Sequence, residues 1–355
     1  MSTTEIRYWT SHTYKKPERW QYNLGLDPSR FRLVYDNKTP DYLIVTERVI
    51  NERLVRNEFK KLYASNRLVF FWADECISPD FNICDYSMSY DKGLVNLDRA
   101  IRRPVMSIFA NFDHEPLNEA PSNVDSLLAG KSKFCNFIYS NPYSHPMRDS
   151  LFYTLSAYKI VDALGPHLHN CDAPTSRGTP DFVTHSIEMK RPYKFSIAAE
   201  NACFHGYTSE KIITSFLART IPIYWGNPDV ESEFNPKAFI NANNLPLNDL
   251  RDLVRDIEEH DSRWKEFLSA PPMTSEQHDR WLKDEERYRD FMQHVFSLPI
   301  EKAKRRPEGY WLDNYRRTYF GASARQIPGI FRLMKFFGRE TVVGDWLTKK
   351  IHPVE

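Results

Sequence analysis

The chain has 355 residues, of which 41% are hydrophobic and 27% are charged, as in an ordinary globular protein. This length exceeds a single typical core and predicts two domains of roughly 150 residues each. Lys and Arg number 48 against 47 Asp and Glu, a net charge of +1, which disfavours a nucleic-acid-binding protein because such proteins usually have a basic excess.

The N-terminal stretch contains no basic segment followed by an apolar run, so no signal peptide is predicted. No later window approaches the roughly 18 apolar residues needed to cross a bilayer. We therefore expect no membrane anchor in this sequence.

The first part of the chain alternates short apolar runs with helical stretches. Five runs rich in β-branched and aromatic residues predict strands: Ile6–Thr10, Phe31–Tyr35, Tyr42–Thr46, Leu68–Trp72 and Phe134–Tyr139. Helices are predicted over Arg48–Ala64 and, after two prolines that interrupt regular structure, over Met147–Lys159. Strands alternating with helices predict an α/β fold with a mostly parallel sheet.

The stretch Gly165–Asp181 is polar and predicts a long loop or a domain junction. It contains His167, His169 and Cys171, but no second group of ligands accompanies them, which favours a solvated loop over a metal site. The five cysteines are odd in number and scattered, without a Cys-x-x-Cys motif. This pattern favours a reduced, cytoplasmic protein.

The most regular pattern in the chain is a β–α–β unit. It consists of a strand over Lys194–Ala199, a helix over Ser209–Ala218 and a strand over Ile221–Trp225. Thr208 or Ser209 is predicted to cap the helix.

Lys211 lies in the first turn of this helix, where the helix dipole favours acids such as Glu210 and disfavours cations. A lysine there is understandable if the helix N-terminus binds an anion such as phosphate; a lysine turned to solvent is the alternative. Glu200, Asn201 and Tyr207 also follow the first strand, at the edge where open α/β sheets bind ligands. The chain contains neither a G-x-G-x-x-G fingerprint nor a P-loop.

Beyond this unit, Asn248–Glu259 and Ser275–Leu298 predict amphipathic helices. The segment Phe331–Ile351 mixes apolar and basic residues. A helix packed on the body of the protein is favoured there over a membrane-surface helix.

Four linked segments resemble the signature of the α1,3/4-fucosyltransferases, glycosyltransferase family 10. In order, they are Phe195–Asn201, Tyr207–Lys211, Thr220–Gly226 and Phe234–Ile240. Weaker similarity covers Phe70–Asp85 and Phe134–Pro142 with the following Arg148, so that the resemblance touches most of residues 65–245. Two positions depart from the family pattern: Ala199 stands where Phe is usual, and Ser209 where Thr is usual.

The resemblance implies a GT-B-like arrangement of two facing Rossmann-like domains. The implied division is an acceptor-binding domain over residues 1–160, a GDP-fucose-binding domain over 161–330 and a helical, basic tail over 331–355. Animal Golgi members carry a membrane anchor, so its absence from this sequence indicates a bacterial-type soluble enzyme or a form lacking its anchor. The expected location is cytoplasmic, with peripheral membrane contact through the tail as the alternative.

The implied reaction is transfer of L-fucose from GDP-fucose, with inversion, to a hydroxyl of an N-acetyllactosamine-type glycan, most simply through an α1,3 linkage. No metal or cofactor is expected, since the Asp-x-Asp motif that binds a metal in many sugar-nucleotide transferases is missing from the sequence. A transferase for another sugar nucleotide, or a non-catalytic glycan- or nucleotide-binding protein, are the competing interpretations.

The resemblance also implies roles for individual residues. Glu75 is the expected general base, with the adjacent Asp74 as the alternative. Five residues are expected to bind the donor: Arg148 and Lys211 through the diphosphate, Tyr207 through a phosphate oxygen, Glu210 through the ribose hydroxyls, and Asn201 through the fucose or a phosphate.

Overall fold

The computed structural model describes residues 3–63, 66–94, 97–103, 117–172 and 182–321. The predicted tail over residues 331–355, and residues 173–181 of the predicted loop, lie outside these ranges.

The described strands form two separate parallel sheets. The first has the order β2-β1-β3-β4-β5-β6 and the second the order β11-β10-β9-β7-β8. The strands of the first sheet are β1 (Thr4–Thr10), β2 (Phe31–Tyr35), β3 (Tyr42–Val45), β4 (Leu68–Trp72), β5 (Tyr86–Ser89) and β6 (Ala100–Arg102). Those of the second are β7 (Lys133–Phe137), β8 (Val161–Ala163), β9 (Tyr193–Ala199), β10 (Ile221–Trp225) and β11 (Ile240–Asn241).

Helices lie between and after the strands. They are α1 (Pro17–Asn23), α2 (Arg48–Asn51), α3 (Arg53–Leu62), α4 (Val124–Ala129), α5 (Met147–Ser156), α6 (Phe182–Lys190), α7 (Glu210–Leu217), α8 (Leu247–Glu259), α9 (Asp261–Leu268), α10 (Ser275–Ser297), α11 (Ile300–Ala303) and α12 (Tyr310–Gly321). The predicted α/β class and the GT-B arrangement of two such sheets are confirmed.

Each sheet is covered on both faces, which is why its strands read as continuous apolar runs rather than as alternating patterns. One face of the first sheet packs against α1 and α10, through Trp20 and Met292, and the other against α3, through Phe59. The second sheet packs against α5, α8 and α9 on one face and against α7 on the other. We call these two assemblies the first unit and the second unit.

The change from one sheet to the other occurs earlier in the chain than predicted. Strand β7 and helix α5, which the predicted boundary at residue 160 assigns to the first domain, pair and pack with the second sheet. The change therefore lies between Arg102 and Lys133. Pairing of Cys135 with Phe195 in parallel register joins β7 to the centre of the second sheet.

The chain returns to the first unit at its other end. Helix α10 contacts the core beneath α7 through Trp281, whereas Tyr288, Met292 and Phe296 farther along the same helix lie in the core of the first unit. The predicted span 161–330 thus contains a segment that completes the other unit.

Two further findings qualify the predicted elements. The helix predicted over Arg48–Ala64 is divided into α2 and α3, because Glu52 adopts an extended backbone conformation. Among the described helices, none has both the length and the apolar character required to cross a bilayer.

Candidate active site

The candidate site lies where the two units face each other, at the carboxyl ends of β4 and β9. Glu75 follows β4, and Asn201 follows β9. The amide Nδ2 of Asn201 donates a hydrogen bond to Oε2 of Glu75 at 2.9 Å, and the hydroxyl of Tyr207 lies 3.3 Å from the same oxygen. Residues more than 120 positions apart in sequence are thereby joined, as ligand sites of parallel sheets require.

Beside this contact the second unit contains a cavity of about 380 Å³. Four of the predicted donor-binding residues line it: Arg148, Asn201, Glu210 and Lys211. Tyr207 and Glu75 are not part of its wall; Glu75 is joined to it through Asn201, and Tyr207 is joined to Glu75.

Arg148, at the N-terminus of α5, is 1% exposed, so the alternative of a surface arginine is wrong. Its guanidinium donates to the carbonyls of Asn141 and Ala199 and to Oδ1 of Asn201, and it lies 4.2 Å from the centre of the Tyr139 ring. No carboxylate of the described residues lies within salt-bridge distance of it, and its Nε has no hydrogen-bond partner among them. A buried cation without a counter-ion is costly, and this favours an anionic ligand at this point.

Lys211 lies beside Arg148 but is paired with a carboxylate. Its Nζ lies 3.1 Å from Oε2 of the fully buried Glu200 and 2.7 Å from the hydroxyl of Ser209. Burial would lower the pKa of Lys211, but Glu200 and Glu210 raise it above its ordinary value, so the lysine is a permanent cation. The alternative of a lysine turned to solvent is therefore wrong.

Glu200 also replaces the predicted helix cap. Ser209 is the N-cap residue of α7, but its hydroxyl donates to Glu200 instead of capping the helix, and its backbone N–H donates to the other Glu200 oxygen at 2.8 Å. The buried carboxylate thus fixes both the start of α7 and the ammonium of Lys211. This role of Glu200 was not predicted from the sequence.

Tyr207 and Glu210 flank these groups. Burial and the charges of Glu200 and Glu75 raise the pKa of Tyr207 far above its ordinary value, so its hydroxyl remains a hydrogen-bond donor at every physiological pH. Burial would raise the pKa of Glu210, but Lys211 lowers it, and Glu210 remains ionised. An ionised carboxylate on the cavity wall can accept hydrogen bonds from hydroxyl groups.

The structure separates the two candidate bases. Asp74 is held by the indole N–H of Trp72 at 2.9 Å and by Nε2 of His12 at 3.2 Å. Burial would raise the pKa of Asp74, but the hydrogen bond and charge of His12 lower it. Glu75 is exposed and faces the second unit, so it is the better placed of the two to meet a substrate.

A third carboxyl, Glu47, lies behind them and was missed. It is 8% exposed, and its Oε2 accepts a hydrogen bond from the backbone N–H of Asp74 at 3.3 Å. Burial, together with the negative charges of Asp74 and Glu75, raises the pKa of Glu47 to about 7. Nothing in the sequence distinguishes Glu47 from the many surface acids of this chain.

Lys190 is a second residue that the sequence analysis missed. It ends α6, lines the cavity and is 4% exposed; its Nζ donates to the carbonyl of Lys211 and to the hydroxyls of Thr214 and Ser215. Burial lowers the pKa of Lys190 to about 7. In sequence it is one of several basic residues around a turn, and only the fold shows that it is buried.

The residues that suggested a metal do not converge. His167 is buried and lies 2.6 Å from Asp149, so the predicted solvated loop is wrong for this residue. His169 contacts the carbonyl of Gly165, and Cys171 that of Ala163. In the described part of the chain no cluster of three or more metal-ligating side chains was found, and all five cysteines are free.

Comparison with known proteins finds relatives of the second unit. Residues 128–294 match the family model described as glycosyltransferase family 10 (fucosyltransferase), C-terminal. An α-(1,3)-fucosyltransferase of Helicobacter pylori is 28% identical over 247 residues, which are 61% of this chain and 49% of that protein. A GDP-fucose protein O-fucosyltransferase 3 of Xenopus laevis is 30% identical over 125 residues, 34% of this chain and 27% of that one. The chain thus spans half or less of the length of these curated relatives.

The similarity in fold extends further than the similarity in sequence. A crystal structure of an α1,3-fucosyltransferase with GDP-fucose superposes with a TM-score of 0.59 at 20% identity, covering 82% of this chain and 92% of that one. Both units therefore share that fold, although the family model covers only the second unit and most of α10, the helix that leads back to the first. Over residues 128–294 the chain thus matches the C-terminal domain of glycosyltransferase family 10, the fucosyltransferases, and it is similar to an α-(1,3)-fucosyltransferase.

Proposed function

We propose that this protein transfers L-fucose from GDP-fucose, with inversion, to a hydroxyl of an N-acetylglucosamine-containing glycan, forming an α1,3 linkage. The observation that carries the proposal is Arg148, a buried guanidinium without a carboxylate partner among the described residues, one amide away from the exposed carboxylate of Glu75. This pairing of an anion site with a base is what an inverting transfer from a nucleotide-activated sugar requires.

In the proposed reaction Glu75 accepts the proton of the acceptor hydroxyl while the oxygen attacks the anomeric carbon. The bond from that carbon to the β-phosphate oxygen breaks, and GDP leaves with the electron pair. Such base assistance typically contributes about 10²–10⁴-fold to the rate. Arg148 and Lys211 stabilise the negative charge that develops on the departing diphosphate, because preformed cations need no reorganisation during the reaction.

The remaining residues orient the donor. Glu210 on the cavity wall accepts from the ribose hydroxyls, and Tyr207 donates to a phosphate oxygen. Asn201 binds the fucose or a phosphate. To do so, its amide gives up the hydrogen bonds to Glu75 and Arg148 that it makes in this structure. No metal is required, since two cations already face the diphosphate.

Relatives of two kinds bear on the proposed acceptor. One is an α-(1,3)-fucosyltransferase, and the other is named as a protein O-fucosyltransferase. The first covers more of this chain, which favours a glycan acceptor; a serine or threonine hydroxyl of a protein is the second candidate.

The test is incubation of the purified protein with GDP-fucose and N-acetyllactosamine in the presence of EDTA. We expect acceptor-dependent release of GDP and a product heavier by one deoxyhexose. Turnover only with GDP-mannose or a UDP-sugar would establish a different donor. Binding of GDP without turnover on any glycan or protein acceptor would establish a non-catalytic binding protein.

A matched pair of variants ties the activity to the site. Arg148→Lys keeps the charge but loses the planar fork, and we expect GDP affinity to fall about 10–100-fold. Arg191→Lys, at an exposed arginine that pairs with Glu188 away from the cavity, should leave GDP affinity unchanged. Equal effects of the two variants would contradict the role of Arg148.

A further inference from the structure

The two units also meet at a buried charge pair beside the candidate site. Arg102, at the end of β6 in the first unit, lies 2.6 Å from Glu233 of the second unit, and the two side chains are only 13% and 11% exposed. The same nitrogen of Arg102, Nη2, donates to the backbone carbonyl of Gly206 at 2.9 Å. Arg102 therefore crosses the junction and binds the peptide bond that links Gly206 to Tyr207.

Asn227 holds the preceding peptide bond, between His205 and Gly206. Its Oδ1 accepts from the N–H of Gly206 at 2.9 Å, and its Nδ2 donates to Glu233 at 3.1 Å and to the hydroxyl of Thr208 at 2.9 Å. The carbonyl and the N–H of Gly206 are thus both fixed by buried side chains. Asn227, Glu233 and Arg102 form one connected network, in which Nε of Arg102 and Oε2 of Glu233 have no hydrogen-bond partner among the described residues.

The position of Gly206 leaves no room for a side chain. Its φ of +87° lies in the left-handed region, and a Cβ built on it would stand 2.3 Å from the backbone carbonyl oxygen of Tyr90 in the first unit. Only glycine combines this φ with such a close approach. The loop of the second unit is therefore pressed directly against the end of β5.

Tyr207 follows immediately and is placed by these contacts. Its ring packs edge-on against Tyr90 with the ring centres 4.9 Å apart, and its hydroxyl lies 3.3 Å from Glu75. The first unit thus contributes the base, the surface under the tyrosine ring and the cation that binds the preceding peptide.

We propose that Arg102 is a positioning residue, which fixes the Tyr207 hydroxyl against Glu75 across the junction and so sets the alignment of the donor with the base. The inference rests on the proposed fucosyl transfer and deepens it. Arg102 does not line the cavity and does not contact Glu75. It acts on Tyr207 only through its hydrogen bonds to Glu233 and to the carbonyl of Gly206.

The first test compares Arg102 with the tyrosine that it positions. We expect Arg102→Met to lower kcat at least tenfold and to raise the Kd for GDP no more than Tyr207→Phe does, because Arg102 reaches the donor only through Tyr207; Arg102→Lys, which keeps the charge, should recover part of the rate. Combined with Tyr207→Phe, Arg102→Met should add little further loss, because both act through one hydroxyl. Independent, multiplicative losses, or a loss of GDP affinity larger than that of Tyr207→Phe, would overturn the proposal.

A second measurement does not depend on turnover. Amide hydrogen exchange of the segment 203–209 should be at least tenfold faster in Arg102→Met than in the wild type, because the Gly206 peptide loses its anchor. Arg32→Met is the control: Arg32 is an exposed arginine of the first unit that pairs with Glu5 and makes no hydrogen bond to Gly206 or Glu233. It should leave both exchange and kcat near wild type.

The two measurements distinguish the ways in which the argument can fail. An inactive wild-type protein whose exchange responds to Arg102→Met would refute the proposed fucosyl transfer and keep Arg102 as the anchor of Tyr207. An active protein whose exchange is unchanged in Arg102→Met would refute the inference and keep the function.

Discussion

At the scale of single residues, the site depends on the different surroundings of two neighbouring acids. Asp74 and Glu75 are adjacent in sequence, yet one is enclosed by Trp72 and His12 and the other faces the opposite unit. The two adjacent carboxylates thereby have different surroundings, and only Glu75 reacts in the proposed function.

This difference can be measured with two conservative variants. Glu75→Gln should lower kcat about 10²–10⁴-fold, because the base is lost, and leave the Kd for GDP and the Tm near wild type. Asp74→Asn should lower the Tm by a few degrees, because the pairing with His12 is lost, and change kcat by less than about threefold. Steady-state kinetics and thermal melts of both variants make the comparison; the reversed pattern would identify Asp74 as the base.

Lys190 predicts a pH dependence of donor binding. Its pKa is lowered to about 7, so it is protonated below that pH and neutral above it. A diphosphate binds the protonated form more tightly, so GDP-fucose affinity should be highest at pH 6 and fall about 3–10-fold by pH 8.5. Calorimetric titrations across this range should show the trend in the wild type and a flat profile in Lys190→Met.

Lys131 offers a matched control for that experiment. It is partly buried, and burial likewise lowers its pKa to about 7, but its ammonium donates to the carbonyls of Arg191 and Ala218 and to the hydroxyl of Thr220 and does not line the cavity. Lys131→Met should keep the wild-type pH dependence. Loss of that dependence in both variants would show that neither lysine acts through the donor site.

The sequence could predict those site residues whose type is unusual for their position. Lys211 in a helix first turn and the sequence around Glu75 and Arg148 were recognisable without coordinates. The roles of Glu47, Lys190 and Glu200 were not, because each depends on burial between segments distant in sequence. Charged residues are numerous in this chain, and a pattern of residue types does not show which of them lose their contact with water.

At the scale of elements, Gly226 directly follows β10, and the buried Glu200 beside it leaves room only for a glycine. A Cβ on Gly226 would stand 2.5 Å from Cγ of Glu200, and its φ is +150°. The end of β10 and the start of α7 are therefore fitted to each other through one carboxylate, and the donor cations depend on that fit.

Gly226→Ala should consequently destabilise the second unit by about 1–3 kcal/mol from backbone strain alone, more with the clash, and weaken GDP binding. Thermal unfolding and GDP titration would measure both effects. Gly130→Ala is the control, because Gly130 has an ordinary φ of −80° and its Cβ would lie no closer than 3.4 Å to another atom. A Gly226→Ala protein as stable as Gly130→Ala would contradict this account.

At this scale, the longer strands were predicted from the sequence more accurately than the short ones. Strands Phe31–Tyr35, Leu68–Trp72 and Ile221–Trp225 were predicted with the observed bounds, since each is rich in β-branched and aromatic residues and lies between polar turns. Strands of two or three residues, such as Ala100–Arg102 and Val161–Ala163, are too short for any periodicity to indicate. They are buried by their neighbours in the sheet and not specified by their own sequence.

At the scale of the whole molecule, α10 joins the two units. Trp281 contacts the core of the second unit, and Met292 contacts the core of the first. The sequence of α10 does not indicate where this change occurs, because one amphipathic helix runs through both contacts. The division into units was predictable from length, whereas the path of the chain between them was not.

Met292→Ala tests this joining role. Met292 is fully buried in the first unit, and its truncation should cost about 2–5 kcal/mol of stability through lost contacts and a cavity. GDP affinity should be retained, because the donor cavity lies in the other unit. Chemical denaturation and GDP titration would separate the two effects, with the exposed His294→Ala as control. A loss of GDP binding that matched the loss of stability would show that the units do not act separately.

The same helix has a consequence for synthesis. A ribosome releases the strands of the first sheet early, but Tyr288, Met292 and Phe296, which cover one face of that sheet, emerge only after the whole second unit. The second unit has its own strands and most of its covering helices by residue 268, so it completes its core sooner. The half of the protein that is translated first is therefore the half that finishes folding last, and its apolar face stays open to chaperones in the interval.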